Sequence, residues 1–311
     1  MSEKRMLGPG LEISPIVTGL WQVADMERDG NLLDPDAASD AMADYARAGF
    51  DTFDMADHYG SAELIAGRFR ARRVDGAIEL GEDADPRMLT KWCPHPGVMS
   101  PEAVRAGVEE RLERLGTSKI DLLQLHWWMY EHPGYVDAMK ELVKLQHEGL
   151  IAHLGVTNFN TDHLRVLVKH GLWVVSNQVC LSLLDRRASG RMTDFCLDNS
   201  IKLLAYGTLG GGFLTDRWVG APKPAPEEIG DWSKMKYARF VNQIGGWGVL
   251  QTLLAALKEI ADRYEVSVAN VATRWVLEQQ AVGAVIVGAR LGEREHREDN
   301  RRVLSFTLDN K

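Results

Sequence analysis

Strand-like apolar runs and amphipathic helix-like segments alternate along this chain from end to end, eight of each. Nothing else narrows the fold as much. A strand, a helix and a second strand make the unit of a parallel sheet, and eight such units argue for closure into a barrel. The expected strands are residues 16–21, 52–54, 88–91, 120–126, 152–156, 173–178, 202–205 and 284–287. The expected helices are 36–48, 62–73, 101–115, 134–148, 162–170, 192–199, 250–264 and 268–280. The first is announced by Asp34 and Pro35, a capping side chain followed by an early proline. Ahead of the barrel, residues 5–7 and 11–13 read as a hairpin across Gly8-Pro9-Gly10. No Pro/Ser-rich linker divides the chain, so residues 1–311 are expected to form a single domain. The fold expected is α/β, a (β/α)8 TIM barrel with an N-terminal β-hairpin and long loops on its C-terminal face.

One connection breaks the alternation. Between Tyr206 and Leu250 lie Gly210-Gly211-Gly212, the prolines 222, 224 and 226, and Trp218, Trp232 and Trp247. Loops of this length in compact domains are functional or disordered. The large aromatics favour a packed lid.

The bulk numbers exclude partners rather than name them. A net charge of -8 argues against nucleic acid or an anionic membrane as the main partner. Three cysteines without zinc-like spacing suit a reducing compartment, and no apolar run approaches the ~20 residues of a membrane span. The cytoplasm is the expected location. No GxGxxG follows the first strand, so a doubly wound dinucleotide domain is not supported.

Three segments carry the chemistry: Asp54 and Tyr59 in FDTFDMADHYG, Lys91 in MLTKWC, and His126 in IDLLQLHWW. An apolar run leads into each, so each reads as a buried strand delivering a polar side chain at or after its C-terminal end, where such barrels gather their active sites. A Tyr hydroxyl beside an ammonium suits proton donation to a carbonyl oxygen that receives a hydride. Taken singly, each has a bland reading as a packing Tyr, a surface Lys or a core His. Their joint occurrence on successive strands reverses that weighting. Asp57 and His58 have no further ligand at suitable spacing, and no metal is expected.

The segments GLWQ, DMADHYG, LTKW, DLLQLHW, LGVTNF, NQV, LLAYGTLGGGFL and VIVGAR…EDN, in that order, resemble the aldo-keto reductase superfamily over almost the whole chain. The resemblance implies a catalytic tetrad of Asp54, Tyr59, Lys91 and His126, with Tyr59 as general acid, Lys91 lowering its pKa, Asp54 holding Lys91, and His126 orienting the carbonyl. It places Trp21 and Trp127 on the substrate pocket. It assigns the nicotinamide to Thr157, Asn158, Gln178 and Tyr206, and the pyrophosphate to Gly207, Thr208, Leu209, Gly211 and Leu214. The adenosine end falls to Gly288, Ala289, Arg290, His296, Asp299 and Asn300.

Two departures stand out. Thr157 replaces a frequent Ser and keeps the hydroxyl. The stretch from 288 to 300 is about two residues longer than usual, which leaves open which of Arg290, Arg294, His296 and Arg297 meets the adenosine phosphate. The implied activity is reduction of a small aldehyde or ketone with NADPH, NADH being the alternative cofactor. A cofactor-binding regulatory or redox-sensing subunit with slow turnover is the rival reading, and a cofactor-free barrel lyase or isomerase a distant third. Neither the substrate nor the oligomeric state is legible.

Overall fold

The structure is a computed structural model describing residues 3–23, 32–82, 84–225, 227, 229 and 232–309. Its first two strands, β1 (Arg5–Gly8) and β2 (Leu11–Ile13), pair antiparallel as a hairpin. Eight parallel strands follow. They are β3 (Ile16–Gly19), β4 (Thr52–Asp54), β5 (Arg87–Trp92), β6 (Ile120–His126), β7 (Ile151–Thr157), β8 (Ser176–Cys180), β9 (Lys202–Tyr206) and β10 (Val282–Gly288). Each pairs with the next, and β10 returns to β3 with Val285 opposite Ile16 and Gly288 opposite Gly19, so the barrel is closed.

The helices form where local chemistry starts and stops them. Helix α1 (Pro35–Arg47) opens on Asp34, whose carboxylate accepts the Asp36 amide. Helix α3 (Pro101–Leu115) opens on Ser100 with Pro101 in its first turn, and ends at Gly116 in the left-handed region at φ 58°. Between and after them run α2 (Ala62–Val74), α4 (Tyr135–His147), α5 (Thr161–Lys169), α6 (Arg191–Asp198), α7 (Trp232–Gln243), α8 (Trp247–Tyr264), α9 (Val268–Leu277) and α10 (Arg297–Arg302).

Side chains alternate across a strand, and that alternation builds the barrel interior in layers. Val17, Leu89, Leu122, Leu204, Ala284 and Ile286 form one inward apolar layer. Leu7, Leu11 and Ile13 of the hairpin join that cluster and close the N-terminal end. Two residues further along β5, β6 and β9 come Lys91, Gln124 and Tyr206, so the next inward layer is polar. The same period that fills the base with hydrocarbon delivers the functional side chains above it.

The expected strands and helices are all present, with ends moved by a few residues. The strand expected at 173–178 begins instead at Ser176, since Trp173 lies exposed on the surface. The segment beginning at 16 leaves strand geometry at Gly19, and Trp21 sits in a 3-10 turn, Trp21–Val23. The 206–250 connection is more ordered than a loop. It contains 3-10 turns at Gly210–Gly212 and Asp216–Trp218 and the helix α7, which no run of sequence announced. Phe213, Leu214, Trp218, Tyr237 and Val241 bury themselves with Leu250, Leu254 and Leu257 of α8 and Val268 and Val271 of α9 in a second core. Trp247 packs edge-on to Trp218 at 5.6 Å between ring centroids. The side chain of Trp232 lies outside the described residues.

Candidate active site

The polar layer converges on Asp54 at the end of β4. Its Oδ2 accepts Lys91 Nζ at 2.6 Å, while its Oδ1 accepts Gln178 Nε2 at 2.7 Å and Gln124 Nε2 at 3.2 Å. A carboxylate this deeply buried needs such donors, because an unpaired charge would cost several kcal/mol. Lys91 gives a second hydrogen bond to the Met55 carbonyl at 2.8 Å and is 1% exposed. Its ammonium stands 4.8 Å from the Tyr59 ring centroid.

The electrostatics of this trio correct one expectation. Burial raises the Tyr59 pKa, and the Lys91 ammonium pulls it back only in part, so the phenol stays above its ordinary value. Lys91 itself is raised. Burial alone would discharge it, but Asp54 and Tyr59 outweigh burial and keep it protonated. At neutral pH the site therefore holds a protonated phenol beside a charged ammonium. Such a phenol carries a proton to give, and the ammonium offsets part of the cost of giving it.

His126, at the end of β6, faces the same space. Burial and then the Lys91 charge lower its pKa to about 3, so the imidazole is neutral. Its Nε2 lies 3.3 Å from the Asn158 amide nitrogen, and its Nδ1 is buried with no partner among the described residues. Asn158 holds a positive φ of 59° after β7 and accepts the Tyr206 hydroxyl at 2.9 Å. Three strand ends thus bring Asp54, Tyr59, Lys91 and His126 together, with Asn158, Gln178 and Tyr206 beside them.

Of the adjacent tryptophans, Trp128 rather than Trp127 stands against His126. Trp127 is 2% exposed and turned away from the mouth, its indole nitrogen donating to the carbonyls of Met129 and His132 at 2.8 and 3.0 Å. Since His126 points inward, its neighbour must point outward. Trp128 is the one that reaches the site. Its ring lies 4.4 Å from that of His126, and its indole N–H meets Cys93 Sγ. Trp21 stands edge-on to Tyr59 at 4.9 Å.

His58 completes the mouth, 4.9 Å from Tyr59 and 5.7 Å from His126 between ring centroids. Asp57 holds it, Oδ1 to Nδ1 at 2.7 Å, and also accepts the Cys93 amide. Spacing along the chain could not reveal this neighbourhood, because its members come from three strand ends.

The pattern of the aldo/keto reductase family matches residues 15–311. The chain belongs to the aldo/keto reductase family. It is similar to the NADH-specific methylglyoxal reductase of Escherichia coli, 25% identical over 91% of this chain and 88% of that protein. It also resembles the flagellar radial spoke protein 5 of Chlamydomonas reinhardtii, 29% identical over 72% of this chain but only 49% of that longer protein. Among solved structures, the glycerol dehydrogenase of Gluconobacter oxydans superposes with a TM-score of 0.79 at 22% identity, covering 99% of this chain and 92% of that one.

Aldo/keto reductases work with NAD(P)H, and the groups around the tetrad fit such a cofactor. Thr157 Oγ1 is buried with no partner among the described residues, as a carboxamide contact would require. Gln22 Oε1 is likewise buried and unmet, beside Gly288 at the end of β10, where a Cβ would collide with it. Gln22 had not been singled out in GLWQ. Gly207 has φ 72°, and a Cβ there would run into the Tyr237 hydroxyl of α7, so only glycine serves under the helix.

The expected phosphate loop is less open than its glycines suggest. The amides of Gly210, Gly212, Phe213 and Leu214 are already used by the loop's own turns, and Thr208 is buried. Lys236 of α7 stands 4.8 Å over the Tyr206 ring. At the adenosine end, Ala289 donates to the Gly19 carbonyl, and Arg290 and Arg294 face each other across an isolated antiparallel bridge. Arg297 is engaged with Asp44 and Glu295 at 3.1 and 2.9 Å. His296, Asp299 and Asn300 lie in or just before α10, whose first turn carries Glu298 and Asp299. Those acids oppose a phosphate at that helix end, leaving Arg290 and Arg294 as the basic pair.

Proposed function

We propose that the protein reduces an aldehyde or ketone to an alcohol, with Tyr59 as the general acid. One observation carries this reading: the Tyr59 ring lies 4.8 Å from the buried Lys91 ammonium, which Asp54 holds at 2.6 Å. The nicotinamide cofactor, when bound, supplies the hydride that adds to the carbonyl carbon. The carbonyl oxygen gains negative charge as the hydride arrives. Tyr59 Oη is placed to give that oxygen a proton, and the Lys91 ammonium stabilises the phenolate left behind. Neutral His126 can donate from one ring nitrogen to the same oxygen and fix the carbonyl. Thr157, Asn158, Gln178 and Tyr206 are the groups that would hold the carboxamide and ring. Gln178 would do so while its amide nitrogen stays on Asp54.

The cofactor assigned is NADPH. Its 2′-phosphate needs a local positive group on an acidic protein, and the Arg290–Arg294 bridge sets two guanidinium stems on one face of the loop after β10. We assign the pocket wall to Trp21 and Trp128 in place of Trp127. Nothing in the wall selects one carbonyl compound. A panel of aldehydes and ketones, followed by loss of NADPH absorbance, tests activity and substrate class together. No turnover on any member, with cofactor binding intact, would move the protein to the sensing reading.

A further inference from the structure

We propose that His58, Cys93 and His126 form a site for a thiophilic divalent cation such as Zn2+ at the mouth of the pocket. Metal and carbonyl substrate would exclude each other there. One ligand atom from each of the three residues lies within 4.8 Å of the other two. Two imidazoles and a thiol are the donor set of zinc, not of magnesium or calcium. A tetrahedral Zn2+ with bonds of about 2.0–2.3 Å spaces such atoms by roughly 3.3–3.6 Å, so closure asks for a movement of about an ångström.

The parts that must move are the ones able to do so. The His58 side chain is 35% exposed, and Cys93 follows the last residue of β5. His126 stays fixed at the end of β6, with Nδ1 unpartnered among the described residues.

A second layer supports the ligands. Asp57 Oδ1 takes the Nδ1 proton of His58, which leaves the Nε2 lone pair available to a cation. This is the carboxylate–histidine arrangement that orients metal-binding imidazoles. The other oxygen of the same carboxylate accepts the Cys93 amide at 2.6 Å and so ties two ligand residues to one group. The Trp128 indole N–H also reaches Cys93 Sγ. On binding, the S–H bond breaks, the sulfur pair forms the bond to the metal, and the proton leaves to solvent. Three protein ligands leave a fourth position for water. The exclusion of substrate, though not the site, rests on the functional reading above, since it is His126 that would otherwise orient the carbonyl.

Cobalt(II) is the probe, added to the full-length protein freed of metal by a chelator. The expected result is one equivalent bound with tetrahedral visible bands and a sulfur-to-cobalt charge-transfer band, both bleached by Zn2+. Cys93→Ser should remove the charge-transfer band, and His58→Gln should weaken cobalt binding at least tenfold. No charge-transfer band in the unaltered protein, or one that survives Cys93→Ser, overturns the site. Should Cys93→Ser fail to fold, the exposed His58→Gln decides alone, and unchanged cobalt affinity there is equally fatal. This readout is independent of turnover, so an inactive protein that still shows the bands refutes the reductase reading and not the metal site. With an active carbonyl, Zn2+ should raise the apparent KM and leave kcat unchanged. A fall in kcat alone overturns the exclusion.

Discussion

Lys91 Nζ lies 2.6 Å from Asp54 Oδ2, and the two side chains are 1% and 4% exposed. An ion pair this dry keeps its charge only because each partner is present, and the loss of one leaves the other buried and uncompensated. The pair also fixes the charge that Tyr59 feels. Lys91→Met removes the one large influence that opposes burial of the phenol. The Tyr59 pKa should then rise further, and the basic limb of the pH–rate profile for alcohol oxidation should move to higher pH. Asp54→Asn should move it less. A Lys91→Met protein that is active with an unmoved profile would contradict the electrostatic role.

Tyr59→Phe removes the proton and little else. Turnover with a carbonyl substrate should fall by roughly 10²–10⁴-fold, the usual weight of general acid catalysis. Cofactor affinity, read by fluorescence quenching, should hardly change. Retention of more than about a tenth of the turnover would exclude Tyr59 as the acid.

His126 links pH to stability. An unfolded histidine titrates near 6.5, and the folded one near 3, because burial and then Lys91 disfavour its charged form. Between those values the unfolded chain binds the proton and the folded chain does not. Stability should therefore decline as pH falls through that window, by up to about 1.4 kcal/mol per pH unit from this group. In His126→Asn, urea midpoints measured from pH 7 down to 4 should slope less steeply. An identical slope would show that the imidazole titrates normally.

Arg290→Ala should weaken NADPH binding about tenfold, since charge-assisted phosphate contacts are worth roughly 1.5–3 kcal/mol, and leave NADH nearly unaffected. Equal affinity of the unaltered protein for both cofactors sinks the NADPH assignment. If Arg290→Ala is silent and Arg294→Ala is not, the longer loop has shifted the register.

Helix α7 covers Tyr206 and Gly207, so cofactor should meet it on the way in and out. Amide hydrogen exchange across 234–243 should slow when NADPH is added. Equal protection in both states would make α7 a static wall.

The barrel was legible because its period is strong: eight strand-like runs alternating with helical segments leave few other folds open. The tetrad was legible for the same reason. Helix α7 was not, because its buried Tyr237 and Val241 lie in a segment ringed by Gly and Pro, with no first-turn acid and no last-turn base to mark its ends. The choice between Trp127 and Trp128 turns on strand parity after His126, which adjacent tryptophans do not reveal. His58, Cys93 and His126 are far apart in sequence and meet only in the closed barrel. The lowering of the Tyr59 pKa expected from Lys91 failed on magnitude: desolvation is set by the packed surroundings, which the sequence does not weigh.

The hairpin Leu7, Leu11 and Ile13 stoppers the base of the barrel with hydrocarbon. At the other end of the barrel Trp21, His58 and Trp128 stand against Tyr59 and His126. Under the proposed chemistry, the proton that Tyr59 gives away would be replenished past these rings, on the side where the alcohol departs. Recharging the acid and releasing the product would share a single corridor, and a ligand lodged in that corridor would halt both at once.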